Sequence, residues 1–522
     1  MQKSVLLLRL VRVLFPLSVI GTVYIYFYPF FHKCHFPEPW TAPDWNEQCA
    51  HYVREPHIAP FRLLALGDPQ LEGDSSLPGG AIEPPPSIPS IWRDTLGLSE
   101  EPRAWVDILQ YDIPDLFVKW RKQIDLFGND FYLAHQYRTM RWWTRPSHIS
   151  VLGDLLGSQW STDEEYESRS QRFWNRVFKG GLKVSTDITS PNETTGRVEV
   201  LGDDVLWEQR LINIVGNHDV GYAGDLDETR VDRFERAFGQ VNWDIRFELP
   251  QFSLTNLNLN ETTEKIPSLH IIVLNSMNLD GPVLSEKLQG DTYKFINDVI
   301  SSRSAPVEDH TSATLLLTHI PLHKEDGVCI DGPFFDYFPS EEGGGIREQN
   351  HLSEHGTKSV LQGIFGLSGN KGAPGNGLGR NGLIVNGHDH EGCDVWHSIR
   401  YGEESWRAER YPPAQNTSES MSLPGIREVN PGLREITLRS MMGEFGGYAG
   451  LLSAWYDPGA GKWEFAFDYC SMGIQHYWWA IHIVDIVTII CILAIIPVRL
   501  LERLPDGNEG ARHRGEKAMK RD

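Results

Sequence analysis

The sequence predicts a layered α/β protein held between two apolar segments. Three observations carry that prediction: short Leu/Ile/Val-rich runs alternate with long polar or helical stretches, most of those runs end in a polar cluster, and an apolar stretch lies near each end of the chain. Alternation of this kind marks a layered α/β architecture rather than a helical bundle or a repeat array.

The predicted strands are residues 62–66, 149–152, 211–215, 269–274, 313–317 and 383–385, with 433–438 and 463–467 as closing strands. Each is short and apolar, as strands covered on both faces are. Residues 107–143 are charged and aromatic at helical spacing, so they predict a helix packed beside the core. Two Pro/Gly-rich stretches, 74–89 and 366–382, read as loops.

Residues 13–31 form a charge-free run of 19, long enough to cross a bilayer. The run ends in bulky aromatic residues (Tyr24, Tyr26, Phe27, Tyr28), which favours an uncleaved anchor over a cleaved signal peptide. Residues 477–498 form the second run, with Trp478 and Trp479 at one end and Arg499 and Arg503 beyond the other. His482 and Asp485 interrupt it; polar groups at that depth imply an interfacial position, a partner helix or an incomplete span.

Basic residues flank both runs on their outer sides: Lys3, Arg9 and Arg12 before the first, and Arg499, Arg503, Arg512, Arg514, Lys517, Lys520 and Arg521 after the second. The positive-inside rule then predicts a cytosolic N-terminus (1–12), a span (13–31), a lumenal domain with insertions (32–476), a second span (477–498) and a cytosolic tail (499–522). Sequons at Asn192, Asn260 and Asn416 all fall in the middle region. Disulfides are permitted there for Cys49, Cys329, Cys393 and Cys470, without a pairing readable from the sequence. The tail carries no KKxx, KxKxx or KDEL retention signal.

Composition bounds the function. Of 522 residues, 40% are apolar, enough for a large core, and the net charge of −22 excludes a nucleic-acid partner bound through clustered Lys and Arg. Oligomeric state is not readable from the sequence. A phosphorylated small group still fits an acidic protein if metal ions supply the positive charge.

The chemistry lies in the clusters that end the strands: Gly67-Asp68-Pro69-Gln70, Gly153-Asp154, Gly216-Asn217-His218-Asp219, Thr318-His319-Ile320-Pro321 and Gly387-His388-Asp389-His390. Ligands bind at the carboxyl ends of such strands, where a folded sheet gathers groups far apart in sequence. Any one cluster alone is an ordinary turn or a buried histidine; five in succession predict a site. Asp, Gln, Asn and His form an oxygen and nitrogen donor set suited to Mn²⁺, Fe or Zn²⁺, and their number suits two ions sharing a carboxylate. His323 is separated from His319 by Pro321, and His351 and His355 read as surface histidines.

These blocks, in this order, resemble the D-x-H, GD, GNH(D/E), H and GHxH signature of the calcineurin-like metallophosphoesterases, over residues 68–390. The resemblance implies a layered sandwich of two mixed β-sheets flanked by helices. It implies Asp68, Gln70 and His390 on a first ion, Asn217, His319 and His388 on a second, Asp154 bridging, and His218 as the acid with Asp219 orienting its ring. Gln70 departs from the family pattern, which has His there; an amide carbonyl is the weaker ligand, so the first ion is expected to bind loosely, to be Mn²⁺, or to be lost.

Within that family the Gly-His-Asp-His-Glu-Gly-Cys-Asp block, the Gly-Asp-Pro-Gln start and the flanking spans resemble the branch that remodels glycosylphosphatidylinositol (GPI) anchors, with Gln70 similar to its fungal members. The resemblance implies removal of an ethanolamine-phosphate branch from a GPI mannose in the endoplasmic reticulum, with GPI-anchored proteins or GPI lipid as substrate. Hydrolysis of another lumenal phosphodiester is a second reading. A GPI-binding cargo-quality factor with a degenerate site is a third.

Overall fold

The computed structural model describes residues 3–39, 58–77, 108–190, 197–250, 265–412, 430–473 and 475–503. The three sequons, Trp40, Trp45, Cys49, residues 78–89 of the first predicted loop and the basic tail from residue 504 lie outside the described residues.

Two mixed sheets stack face to face. The first has the order β16 (Lys462–Ser471), β15 (Tyr448–Asp457), β1 (Phe61–Leu66), β2 (His148–Val151), β5 (Arg210–Asn213) and β3 (Leu182–Lys183). The second has the order β13 (Arg407–Arg410), β12 (Cys393–Ser398), β14 (Gly432–Thr437), β11 (Gly382–Asn386), β8 (Ser312–Leu317), β7 (Ser268–Val273), β6 (Trp243–Glu248) and β4 (Arg197–Val200). A short ribbon of β9 (Phe335–Tyr337) and β10 (Ile346–Gln349) stands apart. In the middle of each sheet the strands run parallel, β1 with β2 with β5, and β7 with β8 with β11 with β14.

Strand alternation divides the core in two. Phe61, Leu63 and Ala65 of β1 face the second sheet, where they meet Leu315 and Leu383, while Leu64 and Leu66 face the helices. Each fully buried Leu in these layers contributes about 1.5–3 kcal/mol. All eight predicted strands are present, seven of them displaced by no more than two residues at their ends and the last, predicted at 463–467, running four residues further to Ser471.

The predicted helix beside the core is a five-residue π-helical turn, Ile108–Asp112, running into Ile113–Thr144. Pro114 and Asp115 sit in the first turn of the latter, as the missing N–H of proline and the helix dipole favour. Its buried side chains, such as Tyr132, Leu133, Tyr137 and Met140, lie in the half that reaches the sheet.

The apolar helices are Lys3–Tyr26 and Gln475–Arg503, each long and apolar enough to cross a membrane. The first begins ten residues earlier than the predicted span and stops five residues short of it, followed by a helical turn at Tyr28–Phe31. Ile20, Leu493 and Ile496 are each 68% exposed, an apolar surface that fits a membrane protein with two spans.

The helices pack against each other, and that pairing accounts for Asp485. Its carboxylate accepts from Ser18 Oγ at 2.5 Å and Thr22 Oγ1 at 2.9 Å, so of the three placements open to it the partner-helix one holds. Trp479 packs into the hollow left by Gly128 of the long helix, and Trp478 packs beside Tyr132 and His135. A disulfide from Cys34 to Cys470 ties the end of the first apolar segment to β16, and a second joins Cys329 to Cys393.

Candidate metal centre

Five loops converge where parallel strands of the two sheets end. Asp68 and Gln70 follow β1, Asp154 follows β2, Asn217 and His218 follow β5, His319 follows β8, and His388 and His390 follow β11. The backbone is strained there: φ is 50° at Asp68, 41° at Gln70, 49° at Asp154 and 75° at His388. Side-chain-bearing residues seldom adopt that left-handed region, and where they do they cluster at functional sites. The glycines in the clusters allow the sheets to close on one another. A Cβ at Gly153 would stand 2.1 Å from His319 Nδ1, and one at Gly387 would stand 2.7 Å from the Leu152 carbonyl oxygen.

The donor atoms form two groups that share one carboxylate. Atoms of Asp154, His319 and His388 lie within 4.8 Å of one another, as do atoms of Asp68, Asp154 and His390. Asn217 joins the first group through Oδ1, 3.1 Å from His319 Nε2. Gln70 joins the second, with Nε2 donating to Asp154 Oδ2 at 3.1 Å and lying 3.2 Å from His390 Nε2. Amide orientation follows the hydrogen-bond network, and turning this amide over presents Oε1 at the same place.

Both histidines of the first group are fixed from behind. His319 Nδ1 donates to the Leu152 carbonyl at 2.7 Å, and His388 Nε2 donates to the Gln349 carbonyl at 2.9 Å. Each ring therefore turns its other nitrogen toward the carboxylates, the usual way a metal-binding imidazole is oriented.

Electrostatics point the same way. Burial pushes the Asp68 carboxyl up, helped by the neighbouring Asp154 charge and opposed by His319. Burial opposes ionisation of Asp154 as well, yet His319 and His218 hold it well below the usual carboxylate range. His319 is likewise raised against its burial by Asp154 and Asp68, so the carboxylates draw positive charge to this spot. Asp68 Oδ2 is buried with no hydrogen-bond partner. An orphaned carboxylate oxygen, surplus negative charge and pre-aimed imidazoles fit divalent cations.

His218 stands on the more open side, its side chain 36% exposed, with Nε2 3.8 Å from Asp154 Oδ2. The expected contact from Asp219 to that ring is absent. Asp219 is fully buried and accepts from the backbone N–H groups of Leu155, Leu156 and Gly216 at 2.9–3.2 Å. Its carboxylate joins the Asp154 and Asn217 loops instead, because three backbone amides converge on it.

One group with no signature in the sequence supports the site. Glu435, buried in β14, accepts from Leu322 N at 2.8 Å and Asn386 Nδ2 at 2.6 Å, and pairs with Lys324 Nζ at 2.9 Å and His397 Nε2 at 2.6 Å. Leu322 and Asn386 belong to the His319 and His388 loops, so one carboxylate holds both. His351, expected on the surface, is buried near this cluster; the helix that follows starts only at Glu354, so His351 does not share its face with the exposed His355.

No family model matches the chain. Protein TED1 of Saccharomyces cerevisiae is 29% identical over 540 residues, covering 91% of this chain and 95% of its own. Metallophosphoesterase 1 of Macaca fascicularis is 22% identical over 79% of this chain and 80% of its own, and that of Danio rerio 23% identical over 55% and 65%. With these relatives, the two mixed sheets and the clustered Asp and His ligands, the chain is similar to the calcineurin-like metallophosphoesterases.

Proposed function

We propose that this chain is a membrane-anchored two-metal phosphodiesterase of the endoplasmic reticulum that removes an ethanolamine-phosphate branch from a mannose of GPI anchors. The observation that carries the reading is the pair of donor groups sharing Asp154, the layout of a two-ion site. The substrate comes from the resemblance of the Gly-His-Asp-His-Glu-Gly-Cys-Asp block, and the phosphoesterase chemistry is supported by similarity to the metallophosphoesterase 1 proteins. The two disulfides support a lumenal position for residues 32–476, because such bonds persist in oxidising compartments.

In this reading Asp68, Gln70 and His390 hold one ion, Asn217, His319 and His388 hold the other, and Asp154 holds both. Two divalent ions there, with Mn²⁺ the expected one, would neutralise the phosphoryl oxygens and lower the pKa of a water. His218 serves as the acid: the attacking water oxygen bonds to phosphorus, the P–O bond to the mannose oxygen breaks, the proton held on His218 passes to that oxygen, and the proton given up by the water returns His218 to its starting form. Asp219 keeps the Asn217 and Asp154 loops in register through its three backbone bonds.

The test is mass spectrometry of GPI glycans from cells lacking the protein, rescued by wild type or by the Asn217→Ala, His218→Ala double variant. Accumulation of ethanolamine phosphate on one mannose, cleared by wild type alone, is the expected result; unchanged glycans sink the assignment. The Gln70 amide, bonded to Asp154, favours one second reading, a GPI-binding factor without turnover. Rescue by the double variant would establish it.

A further inference from the structure

We propose that the cavity between the metal centre and the emerging ends of the two apolar helices seats the membrane-proximal sugar-phosphate headgroup of a lipid-linked substrate, which is taken from the same bilayer that holds the enzyme. The inference rests on the phosphodiesterase reading above and adds where the substrate comes from and what holds it.

The cavity has a volume of about 420 Å³. Tyr24, Tyr28 and Tyr477, from the ends of the apolar helices and the turn after the first, line one side, and Arg439, Phe445 and Tyr448 line the other. The Phe445 ring packs edge-on against His390, centroids 4.8 Å apart. The cavity therefore runs from the ends of both apolar helices to Phe445, the residue that packs against the metal centre.

Its lining suits one occupant. Aromatic side chains at the ends of spans sit at headgroup depth, and Tyr24 and Tyr477 remain 42% and 65% exposed there. Aromatic faces and hydroxyls bind sugar rings, and a guanidinium binds phosphate or hydroxyl pairs. The Arg439 guanidinium carbon lies 4.7 Å from the Tyr448 ring centroid, and Nη2 pairs with Glu391, the residue after His390, at 2.8 Å. Arg439 Nε is buried with no hydrogen-bond partner. Glu444 also lines the cavity, so a wholly anionic occupant is disfavoured and a glycan bearing phosphate fits better.

A second cavity, of about 350 Å³, shares Arg439 and Tyr448 with the first and reaches Glu391 and the Cys329–Cys393 bridge. A branched headgroup thus has room in two adjoining cavities that share Arg439 and Tyr448.

The experiment uses the full chain in phosphatidylcholine vesicles with two probes, bis(p-nitrophenyl) phosphate in solution and an ethanolamine-phosphate-bearing GPI glycolipid in the bilayer. Ser471→Phe fills the cavity from its wall, and Tyr28→Ala removes one of its aromatic faces. The expected result is a fall of about tenfold or more in the ratio of glycolipid to soluble kcat/KM for either variant. An unchanged ratio in both variants, whether the two rates fall together or neither falls, overturns the cavity as a substrate seat. A wild type inactive on both probes overturns the phosphodiesterase reading itself.

Discussion

The two halves of the metal centre are built unequally. Around His319 and His388 each ring is fixed by a backbone carbonyl, Asn217 adds an oxygen, and Glu435 holds both loops from beneath. Around His390 the ring has the Gln70 amide on one side and the Phe445 edge on the other, with an amide where the family pattern places imidazole. The same fold thus offers one half fixed from behind by carbonyls and Glu435 and one half held by an amide and an aromatic ring, and the difference teaches that the two halves are stiffened by different means.

The largest expected effect removes the group common to both. Asp154→Asn is expected to lower phosphodiester kcat/KM on the order of a thousandfold, measured on a soluble diester, with the thermal midpoint little changed; a loss confined to KM would break the shared-carboxylate account. Next comes Glu435→Ala, which leaves Lys324 buried and unpaired and costs about 3–5 kcal/mol. Denaturant unfolding should report that loss, and metal binding at the His319 and His388 half should weaken with it. If metal affinity is unmoved, Glu435 serves the fold alone.

Gln70→His is expected to strengthen the weaker half by about tenfold in Mn²⁺ affinity, because imidazole replaces an amide. Calorimetric titration would then give two sites closer in strength than in wild type, and a wider gap would contradict the comparison. A further effect, on stability rather than metal binding, lies on β2, at the end remote from Asp154. Burial, with Arg62 and Arg210 nearby, holds His148 down to about 3, against an ordinary value of 6.5. Its folded value is the lower one, so the stability it contributes is full above about pH 6.5 and is lost as pH falls toward 3, by about 2 kcal/mol at pH 5. His148→Phe should lose less stability than wild type between pH 7 and pH 5, and an equal loss would show that the ring is not the cause.

Much of this was legible in the sequence. Strands buried on both faces read as apolar runs, and their polar ends announced the loops that gather Asp68, Asp154, Asn217, His319 and His388. Strands such as β6, with alternating burial, and β3, two residues long, carried no comparable signal. Glu435, the Leu152 and Gln349 carbonyls and the pairing Cys34–Cys470 are set by contacts across long separations, 436 residues for that disulfide. Asp219 illustrates the limit: its place beside His218 suggested a ring partner, but three backbone amides claim it.

The most direct test is equilibrium dialysis of the purified full chain against Mn²⁺, followed by metal analysis of wild type and Asp154→Asn. Two ions per wild-type chain, one released well before the other on dilution, and loss of both in the variant are the predicted results. A single ion, none, or two that survive loss of Asp154 would contradict a two-metal centre organised around that carboxylate.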